Sequence, residues 1–76
     1  MRNLITYIVE NLVDDQESVR VREVAGDKAQ VYEVSVAGSD QGKLIGKQGR
    51  TIRSVRALVN AAASRAGKRA MLEVLD

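Results

Sequence analysis

Residues 42–51 read Gly-Lys-Leu-Ile-Gly-Lys-Gln-Gly-Arg-Thr, and the interpretation of the whole chain depends on them. At the centre, Gly46 and Gly49 enclose two polar residues that carry hydrogen-bond donors. An apolar pair precedes the first glycine, and a long helical pattern follows the second. Because a glycine at each end lets another backbone approach closely, the segment predicts an exposed turn between two helices.

Apolar spacing predicts three helices around this turn. The N-terminal helix has one apolar face, formed by Leu4, Ile5, Ile8 and Leu12. A short helix over residues 41–45 precedes the turn, with Ser39 or Asp40 as its expected N-cap. A longer helix runs from Thr51 to about Ala66, and Gly67 stands where a C-terminal glycine belongs. The expected apolar stripe of the long helix is Ile52, Val55, Val59, Ala62 and Ala66.

Alternating apolar residues predict three strands, over residues 18–24, 30–36 and 70–75. The first two strands are joined by a short turn, which predicts an antiparallel hairpin. The third follows a crossover that carries two helices, which favours parallel pairing with a right-handed connection. The sequence therefore predicts one α+β domain over residues 1–76, in the order α-β-β-α-α-β. We expect a three-stranded mixed sheet with three helices on one face.

The charges are divided along the chain. Residues 1–40 carry four basic and eight acidic side chains, whereas residues 41–72 carry eight basic and no acidic ones. The net charge of +2 therefore understates the local charge. A basic surface of this kind favours a polyanionic partner.

The composition excludes several kinds of chemistry. The chain contains no Cys and no His, which excludes disulfides, thiol nucleophiles, the usual zinc sites and histidine acid–base catalysis. We expect a non-enzymatic protein with no metal and no cofactor. Neither a signal pattern nor a membrane span is apparent, so we expect a cytoplasmic protein.

The glycine turn has the chemistry of a phosphate-binding site. Backbone N–H groups at the start of a helix are unpaired and positively polarised, and Lys47 and Arg50 would add charge. Lys43 and Arg53 are expected beside the same surface. The spacing does not fit a P-loop or a dinucleotide fingerprint. A purely structural role for both glycines remains open at this point.

The element order and the sequence Leu-Ile-Gly-Lys-Gln-Gly-Arg-Thr-Ile at residues 44–52 resemble a type II KH domain, in particular the small bacterial KH proteins of the KhpA type. In such domains a G-x-x-G loop with its flanking helices and a strand edge enclose a groove for about four nucleotides of single-stranded RNA or DNA. The resemblance implies an RNA-binding module that acts as an RNA chaperone or post-transcriptional regulator. The implied RNA-binding residues are Lys43, Gly46, Lys47, Gln48, Gly49, Arg50, Thr51 and Arg53. The implied apolar groove residues are Ile45, Ile52, Val34 and Val36.

The long helix also offers a candidate dimer interface at Leu58 and Ala61, beside the small-residue segment 61–63. The resemblance implies a homodimer or a larger KH partner of the KhpB (Jag) type. An alternative for Leu58 is that it completes the core. An alternative for the protein is an interaction module in which the glycine turn is structural and the basic face docks on an acidic protein. Double-stranded DNA binding is disfavoured, because the long helix carries more Val and Ala than base-reading residues.

Overall fold

The structure, a computed structural model, describes residues 1–75 and has the predicted order α-β-β-α-α-β. The helices are α1 (Arg2–Glu10), α2 (Gln41–Ile45) and α3 (Arg50–Arg65). The strands are β1 (Arg20–Ala25), β2 (Gln30–Ser35) and β3 (Ala70–Val74). Short 3₁₀ turns lie at Gln16–Ser18, Gly38–Asp40 and Lys47–Gly49. The prediction of an α+β fold with a mixed sheet is confirmed.

The sheet has the order β1-β2-β3, so β2 is its central strand. β1 and β2 pair antiparallel, with Val21 opposite Val34. β2 and β3 pair parallel, with Tyr32 opposite Leu72. Because β3 pairs only with β2 among the described residues, its other side is a free edge.

The first strand begins two residues later than the sequence predicts. Ser18 lies in the 3₁₀ turn, where its hydroxyl donates a hydrogen bond to the Asp15 carboxylate at 2.7 Å. A local side-chain bond of this kind competes with strand formation. Pairing with β2 therefore starts at Arg20, opposite Ser35.

The core lies between one face of the sheet and the three helices. The sheet contributes Tyr32, Val34 and Leu72, and α2 contributes Leu44. The larger set of buried side chains from α1 and α3 is Ile5, Val9, Ile52, Val55, Val59 and Ala63. In the described part of the chain, no helix is both long and apolar enough to span a bilayer.

The buried stripe of α3 departs from the prediction in its last turns. Ala63 is buried and Ala62 is only half-buried, while Ala66 is exposed at the C-cap. Gly67 then has φ of +71°, and the N–H of Lys68 donates to the carbonyl of Ala63 at 2.8 Å. This pattern is a Schellman motif, which confirms Gly67 as the terminating glycine and turns the chain toward β3.

Candidate nucleic-acid interface

Residues 46–49, which we call the GKQG loop, reverse the chain between α2 and α3 with positive φ at three of four residues. Gly46 has φ 77° and ψ 170°, in a region that glycine almost alone adopts. Gln48 (φ 57°, ψ 26°) and Gly49 (φ 75°, ψ 15°) are both left-handed. The predicted turn is therefore present, and its shape depends on its glycines.

The GKQG loop presents backbone donors to solvent. The N–H of Gly46 donates to Gly42 at 2.8 Å, and the N–H of Gly49 donates to Gly46 at 3.0 Å. By contrast, the N–H groups of Lys47 and Gln48 donate to no acceptor within residues 1–75, and both residues are exposed. Two adjacent free N–H groups before a helix N-terminus are a suitable site for an anionic oxygen.

Three exposed cations lie in the GKQG loop or in the first turn of α3, which follows it. Lys47, Arg50 and Arg53 are all exposed, the first in the loop and the others in the opening turn of α3. The Arg53 guanidinium lies over Gly49, since a Cβ built on that glycine would be 3.5 Å from Nη1. Thr51 is half-buried and its side chain packs against Gly46. Of the predicted residues, Arg53 and Thr51 thus contact the two glycines of the loop, while Lys47 and Arg50 are exposed within and beside it.

Lys43 occupies a different environment. Its ammonium forms an ion pair with Asp14 and lies 3.8 Å from Asp40 Oδ1. The hydrogen bond that the Lys43 ammonium donates to Asp14 is the main cause of a raised pKa of Lys43; burial opposes this shift, and the charges of Asp14 and Asp40 add to it. Lys43 is therefore engaged by acidic side chains, in contrast to Lys47 in the loop and to Arg50 and Arg53 in the first turn of α3.

The predicted apolar wall needs a correction at Val34. This residue is 0% exposed, because β2 is the central strand and Val34 faces the helices. A nucleotide has no access to it. Ile52 is also buried, which fits the expected role beneath the groove, whereas Ile45 and Val36 are half-buried.

The free edge of β3 and one side of α3 enclose a groove of about 850 Å³. Arg56 spans the junction by donating a hydrogen bond from Nε to the Leu72 carbonyl at 3.2 Å. Further lining residues include Asn60, Met71 and Glu73. Arg53, Arg56 and Asn60 follow each other at helical spacing, so the same side of α3 leads from the GKQG loop into this groove.

Sequence reasoning missed the four groove residues Arg56, Asn60, Met71 and Glu73. The available signal was the spacing of residues 53, 56 and 60, which places them along one side of α3. The choice of β3 as the second wall required the strand order, and this order comes from long-range pairing.

The other exposed side of α3 carries Leu58, of which 58% is exposed. The interpretation that Leu58 completes the core is therefore wrong. Ala61 is exposed as well, and Ala62 is half-buried beside them. An apolar surface thus lies on α3 away from the groove residues.

The sequence matches known proteins along nearly its whole length. The family model for the KH domain of KhpA/KhpB matches residues 2–74. A Chlamydia pneumoniae protein named RNA-binding protein KhpA is 47% identical over 76 residues, which cover 100% of this chain and 97% of that protein. Proteins of the same name from Borreliella burgdorferi and Clostridium perfringens are 41% and 40% identical, and the matches cover 96% and 99% of this chain and 89% and 100% of those proteins.

The fold also occurs inside a larger protein. A crystal structure of Aquifex aeolicus Era bound to a GDP–aluminium fluoride complex superposes with a TM-score of 0.67 at 18% identity. The match covers 96% of this chain and 28% of the Era chain, so it concerns the fold of one part of Era. The family model and the full-length relatives show that the chain belongs to the KhpA/KhpB family of KH domains.

Proposed function

We propose that this chain binds single-stranded RNA and that the GKQG loop grips the sugar–phosphate backbone. The observation that carries the proposal is the pair of free N–H groups at Lys47 and Gln48, exposed among Lys47, Arg50 and Arg53. Phosphate oxygens accept hydrogen bonds from such donors, and the cations supply long-range attraction.

The groove between α3 and β3 would hold the bases. Its exposed residues include Arg56, Asn60 and Met71, which offer guanidinium and amide groups for base edges and an apolar side chain for base faces. Backbone contacts alone carry no sequence information, so any base preference would arise here. We expect a footprint of about four nucleotides, as in other KH domains.

The names of the relatives support this proposal. The proteins from Chlamydia pneumoniae and Borreliella burgdorferi are both named RNA-binding proteins, and neither is named for a reaction. A non-catalytic module agrees with these names. Action as an RNA chaperone or post-transcriptional regulator in the cytoplasm, and use of single-stranded DNA as an alternative strand, remain predictions.

The test is fluorescence anisotropy with a fluorescein-labelled single-stranded RNA octamer of randomised sequence. We expect Lys47→Asp combined with Gln48→Asp to abolish binding, because the substitutions place two carboxylates beside the free N–H groups. The matched control is Arg2→Asp combined with Asn3→Asp, which also replaces one cation and one amide, with the same change of charge, at exposed positions of α1. Thermal melts followed by circular dichroism establish that each variant is folded.

Loss of binding in the loop variant alone supports the proposal. Equal binding by the wild type and the folded loop variant would refute it. Equal loss in both double variants would indicate a response to net charge, and would also count against a specific grip by the loop.

We further propose that Leu58 and Ala61 form a contact with a second KH domain, either in a homodimer or in a KhpB-type partner. The support is the exposed leucine beside small residues, which allow close approach of another helix. One short groove binds RNA weakly, and a second linked groove raises the overall affinity through effective concentration. The matching family model, which covers KhpA and KhpB together, agrees with such a partner.

A further inference from the structure

Asp40 is a polar side chain buried in the core, with 2% of its surface exposed. It occupies the N-cap position of α2, yet its carboxylate makes no capping bond to that helix. Instead Oδ1 accepts the N–H of Asp14 at 3.3 Å, and Oδ2 accepts the N–H of Asp15 at 2.9 Å. The carboxylate therefore fixes the connection between α1 and β1 against the start of α2.

This connection places the side chain of Asp14 next to α2. The Asp14 carboxylate accepts a hydrogen bond from the ammonium of Lys43, and Asp40 Oδ1 lies 3.8 Å from the same ammonium. Lys43 lies one helical turn before Gly46, where the GKQG loop begins. It is the basic residue of the last turn of α2, and two carboxylates engage it.

The pairing determines whether Lys43 is available to a phosphate. A paired ammonium that binds RNA must exchange its carboxylate partner for a phosphate oxygen. It therefore contributes less binding free energy than an unpaired cation would. The raised pKa of Lys43, caused first by the hydrogen bond to Asp14, agrees with a stable pair. The pairing therefore reduces the number of cations that the loop region offers to RNA.

We propose that Asp14, placed by the buried carboxylate of Asp40, holds Lys43 away from RNA and thereby limits the affinity of this surface. The inference rests on the proposed RNA-binding function. Asp14 is the residue that competes with phosphate, and Asp40 is a positioning residue that acts through it. Removal of Asp14 should add one effective cation beside the loop.

The first experiment measures binding of the randomised RNA octamer by the full chain between 50 and about 300 mM salt. We expect Asp14→Asn to raise the affinity about fourfold near 150 mM salt and to steepen the salt slope by about 0.7, the change for one added phosphate contact on a single strand. The matched control is Asp27→Asn, the same change at an exposed residue of the β1–β2 turn. Screening should limit its effect to less than about twofold.

Two further variants assign the gain to Lys43. Lys43→Gln in the wild-type background should leave the salt slope unchanged, and Lys43→Gln added to Asp14→Asn should remove the gain. Equal effects of Asp14→Asn and Asp27→Asn would overturn the inference. A reduction of the slope by Lys43→Gln alone would overturn it too, because Lys43 would then already contact phosphate.

The role of Asp40 is tested by NMR titration of the Lys43 ammonium. Asp40→Asn and Asp14→Asn should each lower the pKa of Lys43, whereas Asp27→Asn should not. Because the charge of Asp40 itself raises the pKa of Lys43, Asp40→Asn is measured in two backgrounds and should lower this pKa more in the wild type than in Asp14→Asn. An equal decrease in both backgrounds would show that Asp40 does not act through Asp14. The proposed function fails separately, through the Lys47→Asp and Gln48→Asp pair; if that pair abolishes binding while Asp14→Asn has no effect, only the present inference is lost.

Discussion

The Cα of Gly46 lies directly against the side chain of Thr51. A Cβ atom built on Gly46 would be 2.2 Å from Thr51 Oγ1 and 2.7 Å from the Thr51 backbone nitrogen. Both distances are far below van der Waals contact. Because the close neighbours include backbone, rotation of a side chain does not relieve the overlap.

We expect Gly46→Ala to lower the free energy of unfolding by about 2 to 6 kcal/mol. The estimate combines about 1–3 kcal/mol for a side chain in this region of φ and ψ with about 1–3 kcal/mol for overpacking. The measurement is urea denaturation followed by circular dichroism. A small domain has little stability to lose, so the variant should be largely unfolded at 37 °C.

Two other glycines provide controls. A Cβ atom at position 49 would contact only the Arg53 guanidinium, at 3.5 Å. Gly49→Ala should therefore lower the free energy of unfolding by only about 1–2 kcal/mol, the cost of a left-handed conformation for a residue other than glycine. Gly42→Ala meets nothing within 4 Å inside α2 and should stabilise the domain by about 0.4–1 kcal/mol. A Gly46→Ala variant as stable as Gly49→Ala would contradict the packing of Thr51 described here.

The second prediction is that the central strand β2 determines stability, whereas the groove between α3 and β3 determines RNA affinity. Val34→Ala should lower the free energy of unfolding by about 1.5–3 kcal/mol because the side chain is fully buried in β2. RNA affinity per folded molecule should be unchanged. Asn60→Ala should leave stability within about 0.5 kcal/mol and weaken binding of the RNA octamer by about two- to tenfold, the value of one hydrogen bond.

Denaturation curves and anisotropy titrations on the same preparations give both quantities. If Asn60→Ala binds as tightly as the wild type while Val34→Ala, fully folded, binds more weakly, the groove between α3 and β3 is not the base-binding surface.

The helices, the strands and the GKQG loop could be predicted from the sequence because each depends on a local pattern of residues. Alternation defined β2 and β3, and the stripe through Ile52, Val55 and Val59 defined α3. The GKQG loop was recognisable because its backbone requires glycine at Gly46, and few other residues adopt that conformation.

The errors concern relationships between distant segments. Alternation placed Val34 on one face of a strand, but only the sheet order showed that this strand is central and that β3 provides the edge. Asp40 has the residue type and position of an N-cap, but its carboxylate binds a segment 25 and 26 residues earlier. A pairing over such a separation leaves no periodic signal in the chain.

The third prediction concerns self-association through α3. Leu58→Asp should leave the fold intact, because 58% of the side chain is exposed. The substitution should shift a dimer to monomers in sedimentation experiments, since a carboxylate would be buried against a second helix. Circular dichroism provides the control for folding.

Ala57→Asp is the matched variant, at an exposed neighbouring position of α3. The proposed contact would be disproved by wild-type and Leu58→Asp proteins that sediment identically as dimers. Dissociation by both variants would indicate a broader interface than Leu58 and Ala61.

The fourth prediction uses salt to count phosphate contacts at the loop. For single strands, the logarithm of the binding constant falls with the logarithm of the salt concentration by about 0.7 per neutralised phosphate. Lys47→Gln should therefore reduce the slope by about 0.7. The change should leave the melting temperature near that of the wild type, because Lys47 is exposed.

Arg65→Gln is the control because it removes the same charge from the last turn of α3. The helix places residue 65 about 24 Å from Gly49, which is three Debye lengths of about 8 Å at physiological salt. If the phosphates lie at the GKQG loop, RNA binding by Arg65→Gln should have the same salt slope as binding by the wild type. A slope reduced equally by Lys47→Gln and Arg65→Gln would mean that RNA is attracted to the basic half of the chain as a whole, and the free N–H groups of the loop would then have no special role.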